Sequence, residues 1–280
     1  MPGPKKLDPS SSPRALLGAE LRHRREHEGL SQEELGLPLF VSGSFIGQLE
    51  SGTRRMQVDQ AQKLDEILRA DGFFVRNCAA LKKSKYPDHF AEAADAEAVA
   101  KRIKEYAPQL IPGLLQTEAY ARAVFRAYQP TAPKDVINDL VGPRLERAQL
   151  LDDPTTPLFW AVLDEAVLRR QVGGAAVMAE QLRHILKLAR EHRIIVQVLP
   201  FSVGAHMAME GQLKLMSFED APPLAYIQGV GTGTLHDEPA TVRHYELTYD
   251  LVVADALSPE LSLALIESVA EDYAHEDQQL

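Results

Sequence analysis

The stretch that most constrains the fold is LSQEELGLPLFVSGSFIGQLESG, residues 30–52, where two short helices must meet at a tight turn. Ser31 with a glutamate three residues later forms a capping box, which begins a helix. Pro38 cannot lie deep inside a helix, so the first helix must be short. Ser42 can cap a second helix, and Gly52 would end it in the left-handed conformation.

Apolar residues recur about every fourth position in this second helix, at Val41, Phe45 and Leu49. That spacing predicts one buried face, and the small polar residues lie on the other. RALLGAELRHRREHEG before it and VDQAQKLDEILRADG after it also have helical periodicity. The first 75 or so residues are therefore predicted to form a compact all-α unit.

Two helices joined by a tight turn, the second with a slim polar start, are typical of helix-turn-helix DNA binding. The start of the second helix would enter the major groove, and the glutamine one turn on would read adenine. The glutamine at the start of the first helix and the two arginines after the second would contact phosphates. The predicted DNA-binding residues are Gln32, Ser42, Gly43, Ser44, Gln48, Arg54 and Arg55.

Residues 17–68 resemble the lambda-repressor-like, or xenobiotic-response-element type, family. The sequence segments that match are LSQEEL, VSGSFIGQLESG and the following RR. The resemblance implies a five-helix DNA-binding domain. It also implies that Glu50 pairs with Arg25 as a buried structural ion pair and does not contact DNA. Two residues depart from the family pattern, Phe40 where a glycine is common in the turn and Pro38 within the second helix of the domain. Both are expected to distort the turn.

The sequence pattern changes after residue 150 from helical periodicity to short apolar runs bounded by Pro and Gly, which indicate strands. The predicted strands are PLFWAVLDEAVL, RIIVQVLPF, GQLKLMSF, PLAYIQGV and GTGTLHD. FAEAADAEAVAKRIKEYAPQL is Ala/Glu-rich and is predicted to be helical. The fold class is thus α+β, with an all-α N-terminal domain followed by a larger domain in which helices cover a four- or five-stranded sheet.

We divide the sequence into a disordered lead at residues 1–14, the helix-turn-helix domain at 15–82, a linker helix at 83–104 and an effector or dimerisation domain at 105–280. The stretch KKSKYPDH marks the first boundary. The last part resembles the effector domain of actinobacterial regulators of the WhiJ type, also called Scr1-like. The resemblance is found in the sequence segments IPGLLQTEAYARAV, LDEAVLRRQVGG, QLRHILKLA, VQVLPFSVGAH and ALSPELSLALI. The resemblance implies a small BldB-like partner protein.

Signals for catalysis or a metal are weak in the C-terminal part. GVGTGT lacks the third glycine of a phosphate-binding loop and favours a turn between strands. His236, Asp237, Glu238 and His244 match no standard metal-ligand spacing. His206 could line a ligand pocket or lie in a loop between strands. Asp164 and Glu165, as neighbours in a strand, would point to opposite faces. We therefore predict no enzyme, no cofactor and no metal.

Charge is unevenly divided along a chain whose formal net charge is −10. Residues 1–85 carry 14 Lys and Arg against 11 Asp and Glu, and the rest carries 16 against 29. A slightly basic N-terminal segment followed by an acidic remainder indicates two parts of the chain with different binding partners. The single cysteine, Cys78, excludes an intramolecular disulfide and is expected to be a small core residue.

These patterns predict a sequence-specific transcriptional regulator that binds double-stranded DNA as a homodimer. Its C-terminal domain would respond to the partner protein or to a small-molecule ligand. The alternative is an antitoxin-like adaptor that binds the small partner and regulates its own operon. The N-terminus lacks the apolar core of a signal peptide, and no apolar run could span a bilayer, so we expect a cytoplasmic protein without a membrane partner.

Overall fold

The computed structural model describes residues 9, 13–80 and 88–278. Most of the predicted lead, residues 1–8 and 10–12, lies outside the described residues, as do residues 82–87 of the predicted boundary. Within the described part, no helix is both long enough and apolar enough to cross a membrane.

The N-terminal region is built from helices alone, as the sequence predicted. The helices are α1 Pro13–His27, α2 Gln32–Gly36, α3 Gly43–Glu50, α4 Val58–Ile67 and α5 Phe73–Ala80. A 3-10 turn, Leu37–Leu39, connects α2 to α3. This is the five-helix arrangement that the family resemblance implied.

The remainder is an α+β domain with a six-stranded mixed sheet. Its strands are β1 Arg102–Ala107, β2 Leu158–Asp164, β3 Ile194–Leu199, β4 Gln212–Ser217, β5 Leu224–Gly229 and β6 Thr232–His236. Its helices are α6 Asp88–Glu97, α7 Glu118–Tyr128, α8 Lys134–Ala148, α9 Glu165–Arg169, α10 Ala175–Arg190, α11 Pro239–Asp255 and α12 Pro259–Asp277. The strand order is β3-β2-β1-β4-β5-β6.

The chain forms two compact units, and neither is continuous in sequence. The first unit comprises Met1–Ala100, Met216–Tyr226 and Gly231–Arg243. The second comprises Lys101–Leu215, Ile227–Val230 and His244–Leu280. The first unit therefore contains the five N-terminal helices together with α6, β6 and the start of α11.

The core of the five helices consists of the apolar residues that helical spacing predicts. Its largest fully buried members are Leu21, Leu35, Ile46, Leu64 and Phe74. Helices α1 and α3 approach closely at Gly18, where a β-carbon would lie 2.2 Å from the Glu50 carbonyl oxygen. Only glycine permits that approach, because the obstructing atom belongs to the backbone of α3.

The second unit is organised around the parallel strands β1, β2 and β3. Parallel strands are covered on both faces, which explains the nearly continuous apolar run of β2. Helix α12 packs on α10 and on β3. The Trp160 indole donates to Gln197 at 2.9 Å, and the Tyr249 hydroxyl donates to the Trp160 carbonyl at 2.9 Å.

The predicted helix over residues 90–110 is wrong in its second half. Helix α6 ends at Glu97, and residues 102–107 form strand β1, so the sheet has six strands where four or five were expected. Helix-forming Lys104 and Glu105 concealed the strand. Glu105 is fully buried, and its carboxylate lies 3.1 Å from the ammonium of Lys214, a residue of β4. A contact with a partner so distant in sequence leaves no local pattern.

Candidate DNA-binding face

Both helices of the turn begin as their sequences predict. The Ser31 hydroxyl accepts the backbone N–H of Glu34 at 3.1 Å, and the Glu34 carboxylate accepts the N–H of Ser31 at 2.8 Å. The hydrogen bond from the Ser31 backbone to the carboxylate is the main cause that lowers the pKa of Glu34. The Ser42 hydroxyl accepts the N–H of Phe45 at 3.0 Å and so caps α3. Gly52 follows α3 with φ +71°, the left-handed stop.

The turn accommodates both departures from the family pattern. Helix α2 is short, as Pro38 predicted, and it ends at Gly36. The expectation that Pro38 lies within this helix is wrong, because Pro38 lies in the following 3-10 turn. Phe40 occupies the glycine position with φ +59°. Its side chain is 90% exposed, 5.4 Å from the Lys63 ammonium, so the strain is local to the turn.

A buried carboxylate braces the two helices of the turn against α1. The Arg25 guanidinium donates to both oxygens of Glu50, at 2.5 and 3.2 Å, and Glu50 is fully buried. Hydrogen bonding to this carboxylate raises the pKa of Arg25. Gln32 at the start of α2 donates to Glu50 at 2.9 Å, and Arg22 donates at 3.2 Å. Glu50 thus fixes α1, α2 and α3 together.

The predicted DNA-binding residues lie together around α3, but none of them is fully exposed to solvent. The residues from Val41 to Gly52 are all buried or half-buried. Gln48, the predicted base reader, is fully buried, and within the described residues neither atom of its amide group has a hydrogen-bond partner. The side chain of Arg54 is 10% exposed. The remaining members are half-buried: Gln32, Ser42, Gly43, Ser44 and Arg55.

Two carboxylates that the sequence analysis did not connect with DNA binding contact this face. The Arg54 guanidinium lies over the Phe45 ring at 4.1 Å and donates to Glu92 at 3.0 Å. Its other terminal nitrogen is 3.5 Å from Asp237. The same Asp237 oxygen accepts the Ser42 hydroxyl at 3.1 Å. All five residues belong to the first unit.

The polar cluster around Asp164 in the α+β part has structural partners. The Tyr106 hydroxyl donates to Asp164 at 3.2 Å and lies 3.2 Å from Nε2 of His206. Burial, with the neighbouring Asp164 carboxylate, raises the pKa of Tyr106. Asp164 also caps α9 by accepting the N–H of Ala166 at 2.8 Å. Glu165 is therefore the first residue of a helix, which corrects its expected place in the strand.

Two further sequence features have simple structural roles. GVGTGT forms the connection between β5 and β6. In the part of the chain that is described, His, Cys, Asp and Glu form no group of three or more that could hold a metal ion. The Cys78 thiol is buried and donates to the Met56 carbonyl at 2.9 Å, and burial raises its pKa. It is the small core residue that the sequence indicated.

The five helices, the capped pair α2–α3 and the Glu50 brace define a helix-turn-helix protein. Residues 16–72 match the family described as "Helix-turn-helix domain", which supports a DNA-binding regulator rather than an enzyme. Residues 90–268, more than half of the chain, match the family described as "Domain of unknown function (DUF5753)", and the chain belongs to that family. Comparisons with curated proteins and with solved structures found no match.

Proposed function

We propose that this protein is a sequence-specific transcriptional regulator that binds double-stranded DNA through α2 and α3. The observation that carries the proposal is the braced pair of capped helices, in which Glu50 holds α3 against α1 and α2. A recognition helix reads bases only when its angle is fixed by the helix that crosses the DNA backbone. The match to a helix-turn-helix family supports the same function.

Each predicted contact residue has a role in this proposal. Ser42, Gly43 and Ser44 form the slim end of α3 that enters the major groove. Gln48 reads an adenine edge through its amide. The remaining members position the protein on the phosphate backbone, and they are Gln32, Arg54 and Arg55.

We further propose a homodimer of the actinobacterial WhiJ or Scr1-like type, on the sequence resemblance. Two heads about one helical turn apart, ~34 Å, would read a palindrome. The DUF5753 part would act as effector domain, binding a small BldB-like protein or a small-molecule ligand. Such a signal controls DNA binding only if it has different affinities for DNA-competent and DNA-incompetent arrangements.

The test is fluorescence anisotropy of the full chain on its own upstream DNA and on random DNA of equal length, across a salt series. A regulator gives a large specificity ratio and a steep salt dependence. Equal, weak binding to both fragments by the chain alone would mean that a partner or ligand is needed first, and the same result with the partner present would contradict the proposal. Under the antitoxin-like alternative, the upstream fragment would be preferred only after a small partner protein is added, so the titration is repeated with co-expressed partner.

A further inference from the structure

The recognition helix is covered on the side that would face DNA. A helix that enters the major groove needs its reading residues in contact with solvent before DNA arrives. Here Gln48 is fully buried, and the Ser44 hydroxyl and the Gln48 amide are buried without hydrogen-bond partners among the described residues. Leaving such groups unsatisfied is unfavourable, and DNA bases would satisfy them. The free-energy cost of these unsatisfied groups in the covered arrangement would therefore be removed when the helix is uncovered and binds DNA.

Carboxylates hold Arg54, the residue expected to hold a DNA phosphate. Arg54 donates to Glu92 at 3.0 Å and lies 3.5 Å from Asp237, and Gln57 also donates to Glu92, at 2.9 Å. Carboxylate and phosphate oxygens are recognised by the same guanidinium geometry. With its side chain only 10% exposed, Arg54 is not available to a phosphate in this arrangement.

The N-terminus of α3 is occupied in the same way. The Ser42 cap donates its hydroxyl to Asp237 at 3.1 Å. A helix N-terminus attracts anions, and phosphates are among the anions that such ends bind. One Asp237 oxygen thus contacts both Ser42, at the end of α3 that would enter the major groove, and Arg54, which would contact a phosphate.

We propose that this structure is a closed, autoinhibited state in which Glu92 and Asp237 take the place of DNA phosphates on the reading face. This inference rests on the proposed function. The covering residues lie in the segment that matches DUF5753, and the covered residues lie in the segment that matches the helix-turn-helix family. The protein binds its operator only when this contact opens, so its apparent affinity is reduced by the fraction of closed molecules.

The first test measures DNA affinity of Asp237→Asn, Glu92→Gln and the double variant on the upstream and random fragments. The substitutions keep side-chain size and remove one negative charge each. Each single variant is expected to bind the upstream fragment about 3–10-fold more tightly than the parent, and the double variant more tightly still. Asp255→Asn removes the same charge from an exposed position on α11 and is expected to change affinity less than twofold, about the general charge effect.

The second test reports on the cover without DNA. The thiol introduced by Ser44→Cys, in a Cys78→Ala background, is modified by a disulfide reagent, with and without Asp237→Asn and Glu92→Gln. Modification is expected to be several times faster when both carboxylates are neutral, and circular dichroism verifies that each variant is folded.

The outcomes separate the two proposals. Equal DNA affinity in parent, double variant and Asp255→Asn, together with equal labelling with and without the two carboxylate substitutions, would overturn the closed state and leave the regulator intact. The second outcome is faster labelling of the double variant but no preference of any variant for the upstream fragment. It would overturn the proposal that the protein is a sequence-specific regulator, and the closed contact could then not be called autoinhibitory. Tighter specific binding together with faster labelling is the expected result.

Discussion

Arg25 and Glu50 are joined by two hydrogen bonds, of 2.5 and 3.2 Å, between helices α1 and α3. Because Glu50 is fully buried, its removal leaves the Arg25 guanidinium without its main partner in a poorly solvated place. We expect Glu50→Ala to lower the free energy of unfolding by about 3–5 kcal/mol, measured by urea denaturation. Glu20→Ala is the control, since Glu20 pairs with Arg24 at the surface and should cost at most about 1 kcal/mol. Equal effects would contradict the brace.

The left-handed backbone of Phe40 allows a test of strain in the turn. A β-carbon at φ +59° is unfavourable, and glycine removes that cost. We expect Phe40→Gly to be more stable to urea than Phe40→Ala by about 1 kcal/mol. The alanine variant is the matched control, because both changes remove the same exposed ring. A more stable alanine variant would contradict the assignment of strain.

Arg54 is expected to contact a DNA phosphate once the face is open. The effect of Arg54→Ala on DNA affinity is best measured in the Asp237→Asn, Glu92→Gln background. In the parent the substitution would also remove the closed contact, and in this background that contact is already lost. There, Arg54→Ala should weaken binding to both DNA fragments alike and reduce the salt slope by about one unit. Arg24→Ala, which removes an equal charge from α1, should leave the slope unchanged. An unchanged slope for Arg54→Ala would exclude the phosphate contact.

Gln48 is expected to determine sequence preference rather than overall affinity. In the same open background, Gln48→Ala should lose about 1–3 kcal/mol of discrimination between upstream and random DNA. Binding to random DNA should change little. If discrimination were retained, another residue of α3 would be the base reader.

His184 on α10 predicts a pH dependence of stability. Burial, and then the nearby Lys187, lowers the pKa of His184 below its usual 6.5. The unfolded chain therefore binds a proton at a higher pH than the folded chain, so stability is full above pH 6.5 and falls as the pH drops below it. Urea denaturation at pH 7.5 and 5.5 should show a smaller loss for His184→Gln than for the parent. His27→Gln, at a side chain 77% exposed, should behave like the parent.

Local sequence patterns were sufficient where local physics determines the structure. The Ser31 capping box, the Ser42 cap and the Gly52 stop each depend on hydrogen bonds or backbone angles within a few residues. The α+β class and most strands likewise follow from apolar runs between Pro and Gly. Strand β1 was missed because buried Glu105 depends on Lys214, which no window of sequence contains.

The covered reading face could not be predicted for the same reason. Asp237 was considered only as a possible metal ligand, and Glu92 only as part of a helical stretch. Their contacts with Ser42 and Arg54 join positions 195 and 38 residues apart. The sequence indicated that Phe45, Ile46 and Leu49 of α3 are core residues, and they are, but burial of Gln48 is a property of the folded first unit.

The order of these residues along the chain also determines when, during synthesis, the closed contact can form. Ser42 is made 195 residues before Asp237, and at about 5–20 residues per second that interval lasts about 10–40 s. N-terminal domains fold first during synthesis, so the five helices, complete at Ala80, exist for part of that time without the carboxylate of Asp237. During synthesis, therefore, the contact between Ser42 and Asp237 cannot form until residue 237 has been made.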